Sequence, residues 1–143
     1  AIALVMLGTN DAASGIALRD YEEAMGQIVE VSAEEGVIPI LYTIPPMKRK
    51  TAYPISRYNE VIRRLAAESE IPLVDYWAAL QTLPGYGLSN DGVHPWASYS
   101  GAADFSKKNL ANAGITVRNL LTLQALDAVS RYLREVQKFT RLV

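Results

Sequence analysis

The chain has 143 residues, half of them hydrophobic and a fifth charged, with a formal net charge of −1. This length suits one compact domain of globular composition, and the near-neutral charge gives no reason to expect binding to nucleic acid or to an anionic membrane. The chain has no cysteine, which excludes disulfides and cysteine-based zinc sites, and no apolar run reaches the roughly 18 residues that a membrane-spanning helix needs.

The first third of the chain alternates strand and helix patterns. Residues 1–7 (AIALVML) form a continuous apolar run that ends at Gly8, which is typical of a strand covered on both faces. Residues 19–35 carry apolar side chains at three- and four-residue spacing, which predicts an amphipathic helix with Gly36 at its C-terminal cap. Residues 37–43 (VIPILYT) predict a second strand, ended by a proline pair.

The middle of the chain repeats this order. An apolar stripe predicts a helix over residues 56–69, with Ser56 as its N-terminal cap. Residues 71–75 (IPLVD) predict a third strand, and a short helix follows over residues 76–80.

The last third contains loops and one long helix. Residues 83–96 are rich in Gly, Pro, Asn and Asp and predict a loop, and residues 98–114 show no clear pattern. A final helix is predicted from Thr116 or Val117 to Phe139.

Strands that alternate with helices of this length predict an α/β fold: a parallel sheet between two helical layers, in a single domain over residues 1–143. Because the chain opens inside an apolar strand, we expect the N-terminal part of this domain to lie upstream of residue 1. Sites in such sheets form at the carboxyl ends of the strands, where Gly8 to Asp11, Thr43 to Pro46 and Asp75 to Trp77 all lie.

The first candidate site follows the opening strand as Gly8-Thr9-Asn10-Asp11. Glycine permits a tight turn and a close approach to a ligand. The side-chain amide of Asn10 is a neutral donor suited to a developing oxyanion. The alternative is structural, because Asn and Asp frequently form turns that cap a following helix.

The second candidate is the pair Asp91 and His94 in the loop before the final helix. A carboxylate three residues before the only histidine of the chain is near enough to accept a hydrogen bond from Nδ1. That bond leaves Nε2 free to act as a general base. The alternatives are an ordinary Asp91-Gly92 turn and a histidine without a catalytic role.

Other sites are disfavoured. Phosphate-binding glycine motifs and the G-x-S-x-G nucleophile motif are absent. Asp11, Asp75 and Asp91 have no spacing typical of a metal-binding loop. The basic run Lys48-Arg49-Lys50 is interpreted as solvated surface, and four aromatic residues near the site either line a pocket or serve in packing (Trp77, Tyr86, Trp96 and Tyr99).

Taken together and in this order, the two motifs resemble those of the SGNH (GDSL-type) serine hydrolases. Gly8-Thr9-Asn10-Asp11 is similar to that family's G-x-N-D block, and Asp91-Gly92-Val93-His94 followed by Pro95 is similar to its D-x-x-H block. Residues 41–46, Tyr58-Asn59 and residues 72–75 also match the family, whereas residues 101–119 are longer than in its shortest members.

The resemblance implies a flavodoxin-like three-layer fold and hydrolysis of a small-molecule ester without a metal or other cofactor. It assigns His94 as the general base, Asp91 as its orienting carboxylate and Asn10 as an oxyanion donor, with Gly8 and Asp11 in support. The family's nucleophilic serine lies in a Gly-Asp-Ser motif upstream of the G-x-N-D block, so it is not in this chain; Ser14 does not follow a Gly-Asp pair.

The chain alone is therefore expected to be inactive. Two alternatives stay open: a non-catalytic module of this fold that binds acylated or glycan ligands, and a receiver- or flavodoxin-like module that matches the motifs by chance. The ester, the cellular location and the oligomeric state do not follow from the sequence.

Overall fold

The computed structural model describes the backbone of residues 1–140 and the side chains of residues 1–138. The strands are β1 (Ile2–Val5), β2 (Ile38–Tyr42) and β3 (Leu73–Val74). The helices are α1 (Thr9–Ser14), α2 (Leu18–Glu34), α3 (Ile55–Glu68), α4 (Tyr76–Leu80), α5 (Lys107–Leu110) and α6 (Gly114–Thr140), with a 3₁₀ turn at Pro84–Gly87. The last three residues of the domain predicted over 1–143 lie outside the described residues.

The three strands form one parallel sheet in the order β1-β2-β3. Leu4 pairs with Ile40, and Leu41 pairs with Leu73, so β2 is the central strand. Parallel pairing requires a crossover between successive strands, and α2 and α3 supply these crossovers. The predicted parallel sheet is confirmed.

Helices cover both faces of the sheet. On one face, α2 and α3 pack against residues from β1 and β2 and form a core of buried apolar side chains (Val5, Tyr21, Met25, Leu41, Tyr58 and Ile62). On the other face, α6 packs through Val129 and its neighbours against Ile40, Tyr42 and Val74. Because Ile40 and Tyr42 face one layer and Leu41 faces the other, β2 is buried on both sides and the three-layer α/β/α architecture is confirmed.

The structure tests two helix caps that the sequence predicts. The C-cap residue of α2 is Glu35, one residue before the predicted Gly36, and Gly36 follows it in the left-handed conformation with φ of 65°. The prediction that Ser56 caps α3 is wrong: the N-cap residue is Pro54, no side chain caps the helix, and Ser56 lies within its first turn.

One edge of the sheet is open in the described part of the chain. β1 pairs only with β2 there, and the side chain of Leu4 is 49% exposed. None of the helices described is long and apolar enough to cross a membrane.

Candidate active site

A short hairpin presents the Asp91–His94 segment. Leu88 and Pro95 form an antiparallel bridge, and Ser89 N–H donates to the carbonyl of His94 at 2.7 Å. Gly92 N–H donates back to Ser89 O at 2.9 Å and closes the turn. Trp96 N–H donates to Gly87 O at 2.7 Å, which ties the base of the hairpin to the 3₁₀ turn. The loop is therefore held by its own backbone hydrogen bonds.

Asp91 and His94 form the predicted pair. His94 Nδ1 lies 2.7 Å from Asp91 Oδ2, while Asp91 Oδ1 accepts from the N–H groups of Val93 at 2.9 Å and His94 at 3.0 Å. The backbone donor of Val93, the imidazole of His94 and the backbone donor of His94 together lower the pKa of Asp91 to about 2. In the neutral tautomer that donates from Nδ1 to this carboxylate, Nε2 is the nitrogen without a proton.

His94 faces an open cavity. The side chain is 78% exposed, and within the described residues no group hydrogen-bonds to Nε2. The cavity has a volume of ≈ 410 Å³ and is lined by Lys48, Arg49, Asp91, Val93 and His94. A substrate in this space has direct access to the imidazole.

The loop after β2 is hydrogen-bonded to the hairpin that carries Asp91 and His94. Lys48 N–H donates to Gly92 O at 2.8 Å. Gly92 has φ of 68°, and a Cβ at this position would lie 2.9 Å from Lys48 Cβ, so only glycine fits without displacement of one loop. The basic run is exposed, as expected of surface residues, but two of its members also line the His94 cavity, which the sequence interpretation missed.

Gly8 sets the geometry of the G-x-N-D segment. It has φ of 123° as the N-cap residue of α1, and a Cβ there would lie 2.6 Å from the hydroxyl of Tyr21. That hydroxyl donates to Leu7 O at 2.9 Å. Burial raises the pKa of Tyr21, and the nearby carboxylate of Asp11 raises it further, so Tyr21 stays a neutral donor beneath the turn.

Asn10 lies in the first turn of α1 and is exposed. No side chain caps α1, so the structural alternative of an Asn or Asp cap for this helix is wrong. Asn10 sits after the carboxyl end of β1, the sheet end predicted for the site, but it is not among the residues that line the His94 cavity. The structure brings Asp91 and His94 into contact, whereas Asn10 does not line the cavity beside them.

Asp75 is engaged in structural contacts at the end of β3. Arg63 contacts its carboxylate through Nε at 2.9 Å and Nη2 at 3.1 Å, and Thr43 Oγ1 donates at 3.0 Å. Burial raises the pKa of Asp75, but the bonds from Arg63, from the N–H of Ala78 and from Thr43 outweigh it and leave the pKa below its usual value. Among residues 1–138, no three His, Asp or Glu side chains gather where they can hold a metal ion.

The four aromatic residues near the site divide into two groups. Trp96 and Tyr99 contact each other with ring centroids 5.9 Å apart and border a cavity of ≈ 620 Å³ that also reaches Asp91. Trp77 and Tyr86 border a separate cavity of ≈ 580 Å³ that also reaches Arg49. Each group therefore adjoins one side of the His94 cavity.

The segment without a sequence pattern is ordered by side chains. Asn109 is 5% exposed and donates to Ser100 Oγ at 2.8 Å and to Asp104 O at 2.9 Å. Ser98 donates to Asn109 Oδ1 at 2.8 Å, and Ser100 donates to Asp104 Oδ2 at 2.6 Å. This network ties residues 98–104 to Asn109 in α5.

Three solved structures share this fold. They are a lipase/acylhydrolase from Enterococcus faecalis (21% identity, 91% of this chain and 60% of that chain, TM-score 0.59), the alpha/beta hydrolase enzyme LAE5 from the metagenome of Lake Arreo, Spain (25% identity, 87% and 58%, TM-score 0.62), and Axe2, an acetylxylan esterase from Geobacillus stearothermophilus (22% identity, 87% and 58%, TM-score 0.63). The chain thus spans 58% to 60% of the length of these proteins. No curated protein sequence matches it significantly.

A family model supplies the assignment that these distant structures do not. The model of the GDSL-like Lipase/Acylhydrolase family matches residues 1–98, a range that includes both the Gly8–Asp11 and the Asp91–His94 motifs. The match covers more than half of the chain and agrees with the SGNH resemblance of those motifs. The chain belongs to the GDSL-like lipase/acylhydrolase family.

Proposed function

We propose that this chain supplies the acid–base and oxyanion groups of a serine ester hydrolase, with the serine in a segment outside the 143 residues. The observation that carries the proposal is the 2.7 Å contact between His94 Nδ1 and Asp91 Oδ2 beside an open cavity. A histidine held in this way has one nitrogen fixed and the other available to a nucleophile. Family membership supports the same chemistry.

In the proposed reaction, the serine Oγ attacks the ester carbonyl carbon while its proton passes to His94 Nε2. Asp91 stabilises the imidazolium that results, and the Asn10 amide donates to the oxyanion of the tetrahedral intermediate. His94 then gives the proton to the departing alkoxide, which leaves an acyl-enzyme. Water attacks the acyl-enzyme by the same route and restores the serine.

Gly8 and Asp11 have supporting roles in this proposal. Gly8 permits the turn that places Asn10 in the first turn of α1 at the sheet end. Asp11 occupies the next position of that turn, near the neutral hydroxyl of Tyr21. The proposed steps use only side chains, without a metal or another cofactor.

The test uses the full-length protein that contains this chain. We expect it to react with a serine-directed fluorophosphonate and to hydrolyse 4-nitrophenyl acetate, and we expect the 143-residue chain alone to do neither. His94→Ala and Asp91→Asn should lower kcat/KM on the order of 10³-fold or more. Asp104→Asn is the matched control, because hydrogen bonds also lower the pKa of Asp104 but this aspartate does not line the His94 cavity. Unchanged hydrolysis in His94→Ala would refute the proposal.

A second candidate function, a non-catalytic binding module, draws on the aromatic cavity. The ring of Tyr99 is 99% exposed beside Trp96, and the same cavity presents the polar side chains of Asn90 and Asn112. An exposed ring next to amides suits stacking against a sugar. This function becomes the better account if the full-length protein resists the fluorophosphonate yet binds an oligosaccharide and loses that binding in Tyr99→Ala.

A further inference from the structure

Two cations from the loop after β2 line the cavity in front of His94. Lys48 and Arg49 face it together with Asp91, Val93 and His94. The ion pairs among residues 1–138 use other cations, and neither Lys48 nor Arg49 takes part in one. Within that range, neither Lys48 nor Arg49 is therefore paired with an acidic side chain.

The carboxylate in this cavity does not cancel that charge. Asp91 is the one acidic residue in the lining, and its oxygens already accept from His94 Nδ1 and from two backbone N–H groups. With a neutral imidazole, the lining side chains carry two positive charges and one negative charge. The field at the cavity consequently favours an anionic ligand.

The backbone fixes where these cations stand relative to His94. The Lys48 N–H bond to Gly92 O, 2.8 Å long, holds the basic segment against the catalytic hairpin. Lys48 Nζ lies near the 3₁₀ turn, 3.5 Å from the position of a Cβ on Gly85. Arg49 also borders the cavity that Trp77 and Tyr86 line, so this residue lines both cavities.

We infer that the ester hydrolysed at this site carries a carboxylate close to the scissile carbonyl, bound by Lys48 and Arg49. This inference rests on the proposed function and names its substrate class. A guanidinium pairs with a carboxylate through two parallel hydrogen bonds, and an ammonium adds a point charge. The carboxylate belongs either to the acyl group or to the alcohol, since both sides of an ester in the cavity lie near His94.

Matched esters in the full-length protein test the inference and separate these two sources. For the acyl side, mono-4-nitrophenyl succinate is compared with its neutral methyl ester. For the alcohol side, 4-acetoxybenzoate is compared with methyl 4-acetoxybenzoate. We expect one anionic ester to be preferred over its neutral match by about tenfold in kcat/KM, because each exposed charge contact is worth about two- to fivefold.

The variant Lys48→Gln/Arg49→Gln should abolish that preference, and about 0.5 M NaCl should reduce it in the wild type. Lys107→Gln/Lys108→Gln removes the same charge from α5 and should keep it. Arg49→Lys retains the charge and should keep most of the preference, which separates loss of charge from loss of folding. Equal kcat/KM for the anionic and the neutral ester within both pairs, or an unchanged preference in the Lys48/Arg49 double variant, would overturn the inference.

A binding measurement distinguishes failure of the anion-site inference from failure of the proposed function. If the wild type hydrolyses neither 4-nitrophenyl acetate nor any of the four esters and does not react with the fluorophosphonate, the proposed function is wrong and binding decides the inference. Monomethyl succinate should then shift the ring resonances of His94 in the NMR spectrum, and dimethyl succinate should not. Absence of the shift, or its persistence in the Lys48/Arg49 double variant, would count against the anion site.

Discussion

At the scale of single residues, Asp91 both orients His94 and shapes the loop that carries it. One oxygen contacts the imidazole and the other accepts from the N–H groups of Val93 and His94. Loop shape and histidine orientation therefore depend on the same ionised group.

This dependence predicts a response to acid. The pKa of Asp91 is about 2 in the folded protein, below its ordinary value of 3.8. Because the folded pKa is the lower one, the stabilisation that Asp91 contributes is present above about pH 4 and is lost as the pH falls toward about 2. We expect the amide resonances of Val93 and His94 to shift over this window in NMR spectra.

Asp91→Asn should remove that shift, whereas Asp104→Asn should leave it. Persistence of the transition in Asp91→Asn would show that another group controls the loop.

At the scale of elements, side chains provide the hydrogen-bond partners of backbone groups just beyond the strand ends. Asn59 on α3 is fully buried, and its amide accepts from Ile44 N–H at 2.8 Å and donates to Ile44 O at 3.0 Å. Both backbone groups of Ile44 are thus satisfied just beyond β2. Asn59 in this way fixes the departure of the loop that carries Lys48 and Arg49.

Asn59→Ala should destabilise the protein by about 2–4 kcal/mol, because two hydrogen bonds are lost and buried backbone groups are left without partners. Chemical denaturation followed by circular dichroism measures this free energy of unfolding. Asn112→Ala is the matched control: its amide donates to Lys108 O at 2.7 Å on an exposed surface, and the expected change is within about 0.5 kcal/mol. Equal losses of unfolding free energy in the two variants would contradict the conclusion that the buried amide of Asn59 stabilises the protein.

The contact between the Lys48 loop and the hairpin predicts a functional effect of Gly92→Ala. An alanine there would have φ of 68° and would meet Lys48 Cβ at 2.9 Å, so the hairpin must move. Under the proposed function, displacement of His94 should lower kcat/KM of the full-length protein by on the order of 10- to 100-fold.

Gly36→Ala separates this displacement from backbone strain. Gly36 has φ of 65° with nothing within 4 Å of a Cβ, so the substitution carries only the left-handed strain of about 1–2 kcal/mol. We expect it to lower the free energy of unfolding and to leave kcat/KM unchanged. A similar loss of activity in both variants would mean that strain, and not the displaced hairpin, causes the effect.

At the scale of the whole molecule, the sheet is covered on both faces, and among residues 1–140 no strand pairs with the outer edge of β1. Ile2 and Leu4 on this strand are 38% and 49% exposed, and Leu7 after it is 50% exposed. An edge strand with apolar side chains offers unpaired backbone groups to another chain. The exposed edge therefore favours association of the 143-residue chain.

Sedimentation velocity of this chain over a range of concentrations should show reversible self-association that Leu4→Lys reduces. A lysine on an edge strand opposes pairing because its charge must stay in water. Leu123→Lys is the matched control, since Leu123 is 54% exposed but belongs to the helix α6 and not to an edge strand. A monomeric wild-type chain, or an equal effect of both substitutions, would contradict this role of β1.

The sequence by itself determined the order of the three strands and of α2, α3, α4 and α6, because hydrophobic periodicity is a local property of the chain. It did not predict the short helices α1 and α5. It also placed Asp91 beside His94, since the two residues are only three positions apart in one turn. The tertiary structure alone decided which distant segments meet. Lys48 lies against Gly92, and Asn59 against Ile44, because crossovers and packing bring them together. The prediction that Ser56 caps α3 is wrong for a related reason. The position of the N-cap depends on the backbone conformation that leads into α3, and residue type alone does not specify that conformation.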